Sequence, residues 1–278
     1  MTYAFFGGCK IPQYLKQYEI ATRAVLKKFD IPLVDMEFNC CGYPVRHQDE
    51  TAAIFAAARN MALANRKGLP IMTPCQCCFG QLKLAAYRLK KDAMLRKTIN
   101  THLSAEGLTW DADLEICHLL SVLYHDIGPA LIKTKRKKSL KGIKLAAHYG
   151  CHALRPGHIT RFDNPLAPTI FEELITATGA ESVQWHRRLE CCGNPLWEKN
   201  NLLSLYLMKK KIESAVESGA QAICTACTYC QIQFDTVRPN EWNANTNIPQ
   251  IPALLYIQIL GSSLGLSDAE LGWTGFSG

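Results

Sequence analysis

Short apolar runs alternate with long amphipathic ones along the chain, and the same order of runs occurs twice. YAFFGGC (residues 3–9), IPLVDM (31–36) and LPIMTPC (69–75) are brief apolar stretches closed by Gly, Pro or Cys, as strands are. KLAAHYGC (144–151), ESVQW (181–185) and AQAICTAC (220–227) repeat that series. Between the second and third runs lies a long helical pattern in each half, DETAAIFAAARNMALANRKG and NNLLSLYLMKKKIESAVESG. Asp49 and Asn200 or Asn201 are candidate N-caps, and Gly68 and Gly219 stand where a C-terminal glycine belongs. A helix is also expected after the first and third runs of each half. The closing segments, ICHLLSVLYHDIG and IPALLYIQILGSSLG, carry helical periodicity.

Alternating strands and helices predict an α/β protein of two domains, each a small, mostly parallel sheet flanked by helices. In such sheets ligands gather at the carboxyl ends of the strands, where the cysteines stand here. The expected division is residues 1–132, a basic linker at 133–142 (KTKRKKSLKG), and residues 143–278.

Thirteen cysteines in 278 residues change the picture. The opening residues lack the basic stretch and cleavage pattern of a secretory signal, and no apolar run is long enough for a membrane span. A cytoplasmic protein without direct membrane insertion is expected, so metal binding explains the cysteines better than a disulfide framework. Cys9, Cys40, Cys41, Cys75 and Cys78 match Cys151, Cys191, Cys192, Cys227 and Cys230 at offsets of 142, 151, 151, 152 and 152. Gly8 and Gly150, Gly42-x-Pro44 and Gly193-x-Pro195, Thr73 and Thr225, and Gln81 and Gln233 keep the same register, which marks an internal duplication. The nine-residue length change falls in HALRPGHITRFDNP, a loop-like stretch.

Four-cysteine zinc and four-cysteine cubane sites each leave one thiol of such a set unused. Spacing therefore favours an iron–sulfur group of another shape, with a zinc scaffold still open. Gly42 and Gly193 are expected to turn the backbone beside the bound group, and Pro44 and Pro195 to fix the exit from that turn. Cys77, Cys117 and Cys224 have no partner in the repeat and read as small buried hydrophobes. His148 and His152 flank Cys151; His152, on the loop side, is the better candidate for hydrogen bonding to sulfur or supplying a proton. The net charge of +7 is concentrated in the linker and in MKKKIES. It suits an acidic partner or an anionic thiol, while the absence of interleaved basic and aromatic residues argues against nucleic acid.

The doubled Cys-Cys-Gly pattern, with YAFFGGC, HYGCH and the final LSDAELG, resembles the paired CCG domains of the HdrB family of heterodisulfide reductase over almost the whole chain. The resemblance implies two noncubane [4Fe-4S] clusters, each held by the five cysteines of one half and facing a shared cleft for a disulfide. It implies disulfide reduction by paired one-electron steps, with each sulfur captured at one cluster. A ferredoxin-like subunit of HdrC type and a flavin-bearing subunit of HdrA type are the implied partners. The substrate would be a small thiol or disulfide. Related systems run oxidatively, on sulfur carried by a lipoate-bearing protein. A non-catalytic metal scaffold is the remaining alternative.

Overall fold

The computed structural model describes residues 1–111, 114–237 and 251–273. Strands β1 (Tyr3–Phe5), β2 (Leu33–Val34) and β3 (Ile71–Thr73) form in the three apolar runs of the first half. β4 (Ile116–His118) joins them in a wholly parallel sheet of order β2-β1-β3-β4. The second half repeats this with β5 (Lys144–His148), β6 (Glu181–Ser182), β7 (Ala222–Thr225) and β8 (Ala253–Leu255), in the order β6-β5-β7-β8.

The closing segments differ from the helix expected over their full length. Each begins as the fourth strand, β4 or β8, and only then turns helical, at Leu119 and at Tyr256. Three apolar residues are too few for periodicity to separate strand from helix. What decides it is the ladder beside β3 and β7, in which Ile71 pairs with Ile116 and Thr225 with Leu255.

The long helices behave as their caps require. Asp49 accepts a hydrogen bond from the Ala52 amide at 2.8 Å and starts the helix Glu50–Arg66. Asn200, rather than Asn201, does the same from Leu203 at 3.1 Å for Asn201–Glu217. Gly68 and Gly219 follow their ends at φ +63° and +79°, the left-handed conformation that favours glycine.

Each half then lends its closing helix to the other. The helix Tyr256–Ser263 packs on Lys16–Lys28 of the first half, and Pro129–Lys135 packs on Ile170–Ala177 of the second. Contact at the first of these surfaces is close: a Cβ on Gly261 would lie 2.2 Å from a Leu271 methyl and 3.2 Å from one of Val25. Tyr124 donates to Glu173 at 2.9 Å across the second. The basic segment starts inside the helix Pro129–Lys135, and the amides of Lys137 and Lys138 both donate to the Ser263 carbonyl at 2.9 Å. Parallel strands, one strand order and crossed closing helices bring the carboxyl ends of both sheets to a common seam.

Candidate metal centre

In a parallel sheet with this strand order, β1 and β3 are followed by chains leaving in opposite directions, and the crevice between them receives ligands. Cys9 lies just past β1, Cys40 and Cys41 past β2, and Cys75 past β3, where it precedes the helix Gln76–Lys91 that carries Cys78 in its first turn. The thiols form a connected chain: Cys9 to Cys40 at 3.8 Å between sulfurs, then Cys40 to Cys41, Cys41 to Cys78 and Cys78 to Cys75. The second half reproduces it as Cys151, Cys191, Cys192, Cys230 and Cys227. All ten predicted cysteines therefore fall into two groups of five.

The groups abut at the seam. Cys75 Sγ lies 2.9 Å from Thr228 Oγ1 of the other half, and Cys77 Sγ lies 3.9 Å from Cys227 Sγ. His118, at the end of β4, directs Nε2 to the carbonyls of Pro74 at 3.2 Å and Ala226 at 3.1 Å, the residues preceding Cys75 and Cys227. Its Nδ1 accepts from the Leu120 amide, so the proton sits on Nε2. One histidine thus ties the two Cys-x-x-Cys loops together, and burial pushes its pKa down to about 4, which keeps it neutral.

Electrostatics within each group separate thiolates from thiols. Hydrogen bonds from Cys41 and Cys9 hold Cys40 well below the ordinary thiol range, and those from Cys151 and Cys192 do the same for Cys191. Burial pushes Cys75 up, but bonding to Cys227, Cys77, Cys78 and Thr228 outweighs it and the net shift is downward. The neighbours Cys9, Cys41, Cys78, Cys151, Cys192 and Cys230 are all raised. Five negative sulfurs cannot share a desolvated pocket without a countercharge, so protons stay on most of them. A metal group supplies that countercharge and displaces the protons.

Buried polar atoms point to the same occupant. His148 Nδ1 and Nε2, and Gln76 Nε2 and Oε1, are buried without hydrogen-bond partners. His148 stands with Cys192 and Cys230 in a group whose ligand atoms lie within 4.8 Å of one another; Cys75, Cys77 and Cys227 form another. The donor set, thiolates with a partnerless imidazole and amide at their edge, fits a metal–sulfur group. Two glycines keep the pockets open. At φ +66° Gly8 passes Cys78 Sγ, 2.8 Å from where its Cβ would lie, and at φ +69° a Cβ added to Gly150 would lie 2.3 Å from Gln76 Oε1 and 3.4 Å from Cys230 Sγ.

The glycines of the Cys-Cys-Gly turns have a second duty besides turning the chain. The Gly193 amide donates to Cys191 Sγ at 3.4 Å, as the expected closeness to sulfur requires. Their tightest approach, however, is to the following helix: a Cβ would lie 2.4 Å from the Ala53 carbonyl at Gly42 and 2.5 Å from that of Ser204 at Gly193. With φ at +86° and +93°, alanine adds about 1–2 kcal/mol of backbone strain and about 1–3 kcal/mol of overpacking. Gly42→Ala and Gly193→Ala are each expected to lower the free energy of unfolding by that combined cost, seen as a lower midpoint of chemical unfolding at an unchanged slope. An unchanged midpoint would mean that the turns are not fixed by helix contact. Pro44 and Pro195 open the short 3-10 turns Tyr43–Val45 and Asn194–Leu196 that lead to those helices.

His152 does reach the seam, with Nδ1 3.2 Å from Cys151 Sγ and 3.7 Å from Cys77 Sγ, and its ring meets Tyr43 edge-on at 4.8 Å between centroids. Cys77 is buried as expected, yet it lies between the two groups rather than in an ordinary core. Cys224 is a buried residue of β7. Cys117 is half-buried on β4 and donates to Glu115 at 3.4 Å. Gln76, His118 and Lys211 carry no signal in the sequence. Gln76 and Lys211 share helices with polar neighbours, and His118 stands in an apolar run, with nothing local to single them out.

Fold and site define a duplicated cysteine-rich α/β protein with two thiol groups suited to metal. The family model described as "Cysteine-rich domain" (CCG) matches residues 3–83 and 145–235. Over 97% of its length the chain is 33% identical to the B subunit of the Methanosarcina acetivorans ferredoxin/F(420)H(2)-dependent CoB-CoM heterodisulfide reductase, covering 91% of that protein. It is 30% identical to a protein of Archaeoglobus profundus described as like the B subunit of heterodisulfide reductase, over 97% of this chain and 92% of that one. It is 32% identical to the Wolinella succinogenes 8-methylmenaquinol:fumarate reductase membrane anchor subunit, over 97% and 94%. A crystal structure of a hypothetical protein from Helicobacter pylori shares the fold at 15% identity and a TM-score of 0.76, with 98% of this chain matching 50% of that one. The chain belongs to the HdrB family of heterodisulfide reductase, the tandem CCG proteins. Among the described residues no helix is long and apolar enough to cross a membrane.

Proposed function

We propose that this chain is the catalytic iron–sulfur subunit of a cytoplasmic heterodisulfide reductase-like complex, acting on a disulfide at two noncubane [4Fe-4S] clusters. The observation that carries this reading is the meeting of two five-cysteine groups at one seam, with Cys77 3.9 Å from Cys227 and Cys75 2.9 Å from Thr228. When bound, each cluster supplies one of the two electrons that an S–S bond takes, together with iron open to sulfur.

The chain's own residues do the rest. The two sets of five cysteines hold the clusters, and His118 fixes the distance between the loops that bear them. His152 faces the seam as a neutral imidazole, since burial and then Arg46 push its pKa down to about 4. A neutral ring offers one N–H to hold a substrate sulfur as negative charge develops on it. Tyr43, 5.2 Å from Tyr229 between ring centroids, screens that spot from water. Electrons would arrive from a ferredoxin-like subunit and, behind it, a flavin-bearing one.

A second reading has a specific observation behind it: the Wolinella relative is named as a subunit of a quinol:fumarate reductase. There the same two groups would only relay electrons to a partner. The deciding experiment is iron, sulfide and zinc analysis of anaerobically purified protein, followed by EPR after oxidation with and without a thiol. About eight irons with matching sulfide and a thiol-dependent signal are expected. Clusters without a response to thiol favour the relay; one or two zincs without sulfide overturn both readings.

A further inference from the structure

The duplication reproduces the ten cysteines but not what stands behind them. At the rear of the second group, Lys211 is fully buried, its ammonium donating to the Arg187 carbonyl and lying 4.6 Å from the Trp185 ring centroid. The sulfurs of Cys192, Cys230 and Cys191 are among the strongest charge partners of that ammonium. Glu190 is another, but it is paired with Arg187 at 2.6 Å. In the repeat register Lys211 corresponds to Asn60, a neutral amide. Both ends of Asn60 are engaged with backbone, accepting from the Asn39 amide at 2.9 Å and donating to the carbonyls of Asn39 and Cys40 at 3.3 Å and 3.2 Å.

The imidazole of His148 repeats the asymmetry. It is buried beside Cys192 and Cys230, with both nitrogens lacking partners. Its counterpart is Phe6, packed on Phe38 at 5.1 Å between centroids. One pocket therefore has a cation and a free N–H at its back, and the other an amide already engaged and two phenyl rings.

A reduced iron–sulfur group carries one more negative charge than the oxidised one, so a nearby buried cation and an unpartnered N–H beside the sulfurs favour the reduced form. Resting on the proposed iron–sulfur reading, we infer that the two sites are electrochemically unequal: the site of Cys151, Cys191, Cys192, Cys227 and Cys230 has the higher reduction potential, set by Lys211 and His148. Incoming electrons then fill the second site before the first. The first site, holding its electron less tightly, is the stronger one-electron donor toward a substrate at the seam. Lys211 and His148 are positioning residues for charge, not ligands.

The test is a potentiometric titration of the full chain with its clusters, read by EPR and visible absorption. The parent protein is expected to show two separate one-electron steps. Lys211→Asn, which installs the first-half residue, should lower only the upper step. The reduced-to-oxidised ratio at fixed potential should fall at least tenfold, equivalent to 59 mV for one electron. Lys211→Arg should restore the step, and His148→Phe should lower the same one. Should Lys211→Asn lose iron from the second site, His148→Phe decides alone. A chain with Cys191→Ser and Cys192→Ser should retain only the lower step. Full iron content with coincident steps, or a substitution that moves both steps equally or only the lower, overturns the inference. Absence of iron from the parent protein instead overturns the proposed function.

Discussion

Replacing Cys191 and Cys192 together by serine is expected to leave about four of about eight irons, with the matching sulfide, and to abolish turnover with a disulfide. The basis is the chain of thiol contacts within each half. Cys191 links to Cys151 and Cys192, and Cys192 to Cys230, so two substitutions remove the middle of the second group. Cys9, Cys40, Cys41 and Cys78 take no part in that chain and should keep the first group loaded. On the proposed function, activity fails entirely rather than by half, because one site would pass one electron and an S–S bond takes two. Cys224→Ser is the matched control. Cys224 lies within β7, and burial alone raises its thiol, without any sulfur partner among the causes. Its iron content should equal that of the parent. Loss of all iron from the double variant would show a single shared centre, and full retention would show that the vicinal pair is not a ligand.

Dividing the chain between residues 142 and 143 is expected to yield two pieces that do not fold separately, although each carries a complete four-stranded sheet. The helix Tyr256–Ser263 belongs in sequence to the second piece but buries its apolar side on Lys16–Lys28, where Val25 and Leu26 are fully buried. Separation exposes that face on both pieces. Fully exposing side chains of this kind costs about 1.5–3 kcal/mol each, and a handful of them equals the whole stability of a domain of this size. Pro129–Lys135 and Ile170–Ala177 lose their contact in the same cut. The measurement is solubility and hydrogen exchange of each piece alone and after co-expression; a protected, soluble single half would refute the interlock. Co-expression should restore both, since the contacts need proximity rather than a peptide bond.

Much of the fold was legible because it is local. A helix of seventeen residues announces itself by periodicity, and Asp49 and Asn200 cap two of them as their side chains and positions dictate. The first three strands of each half were visible as apolar runs leading to cysteines. The fourth were not, because Ile116–His118 and Ala253–Leu255 are strands only by virtue of the neighbour they pair with. The site divides in the same way. Cysteine register showed which thiols are equivalent, and that sufficed to sort ten of thirteen into two sets. It was silent on Cys77, whose place between the groups depends on how the halves meet.

The duplication, the α/β class, the two sets of five cysteines and the glycine turns beside them can be read from the chain alone, since each follows from composition and spacing within a few tens of residues. Packing alone sets the crossing of the closing helices between halves, the joining of the loops before Cys75 and Cys227 by His118, and the place of Lys211 and His148 behind one group. Register relates positions that are alike, whereas contact relates positions that face each other across the seam. Which residues face each other is set by packing both halves around one shared interface.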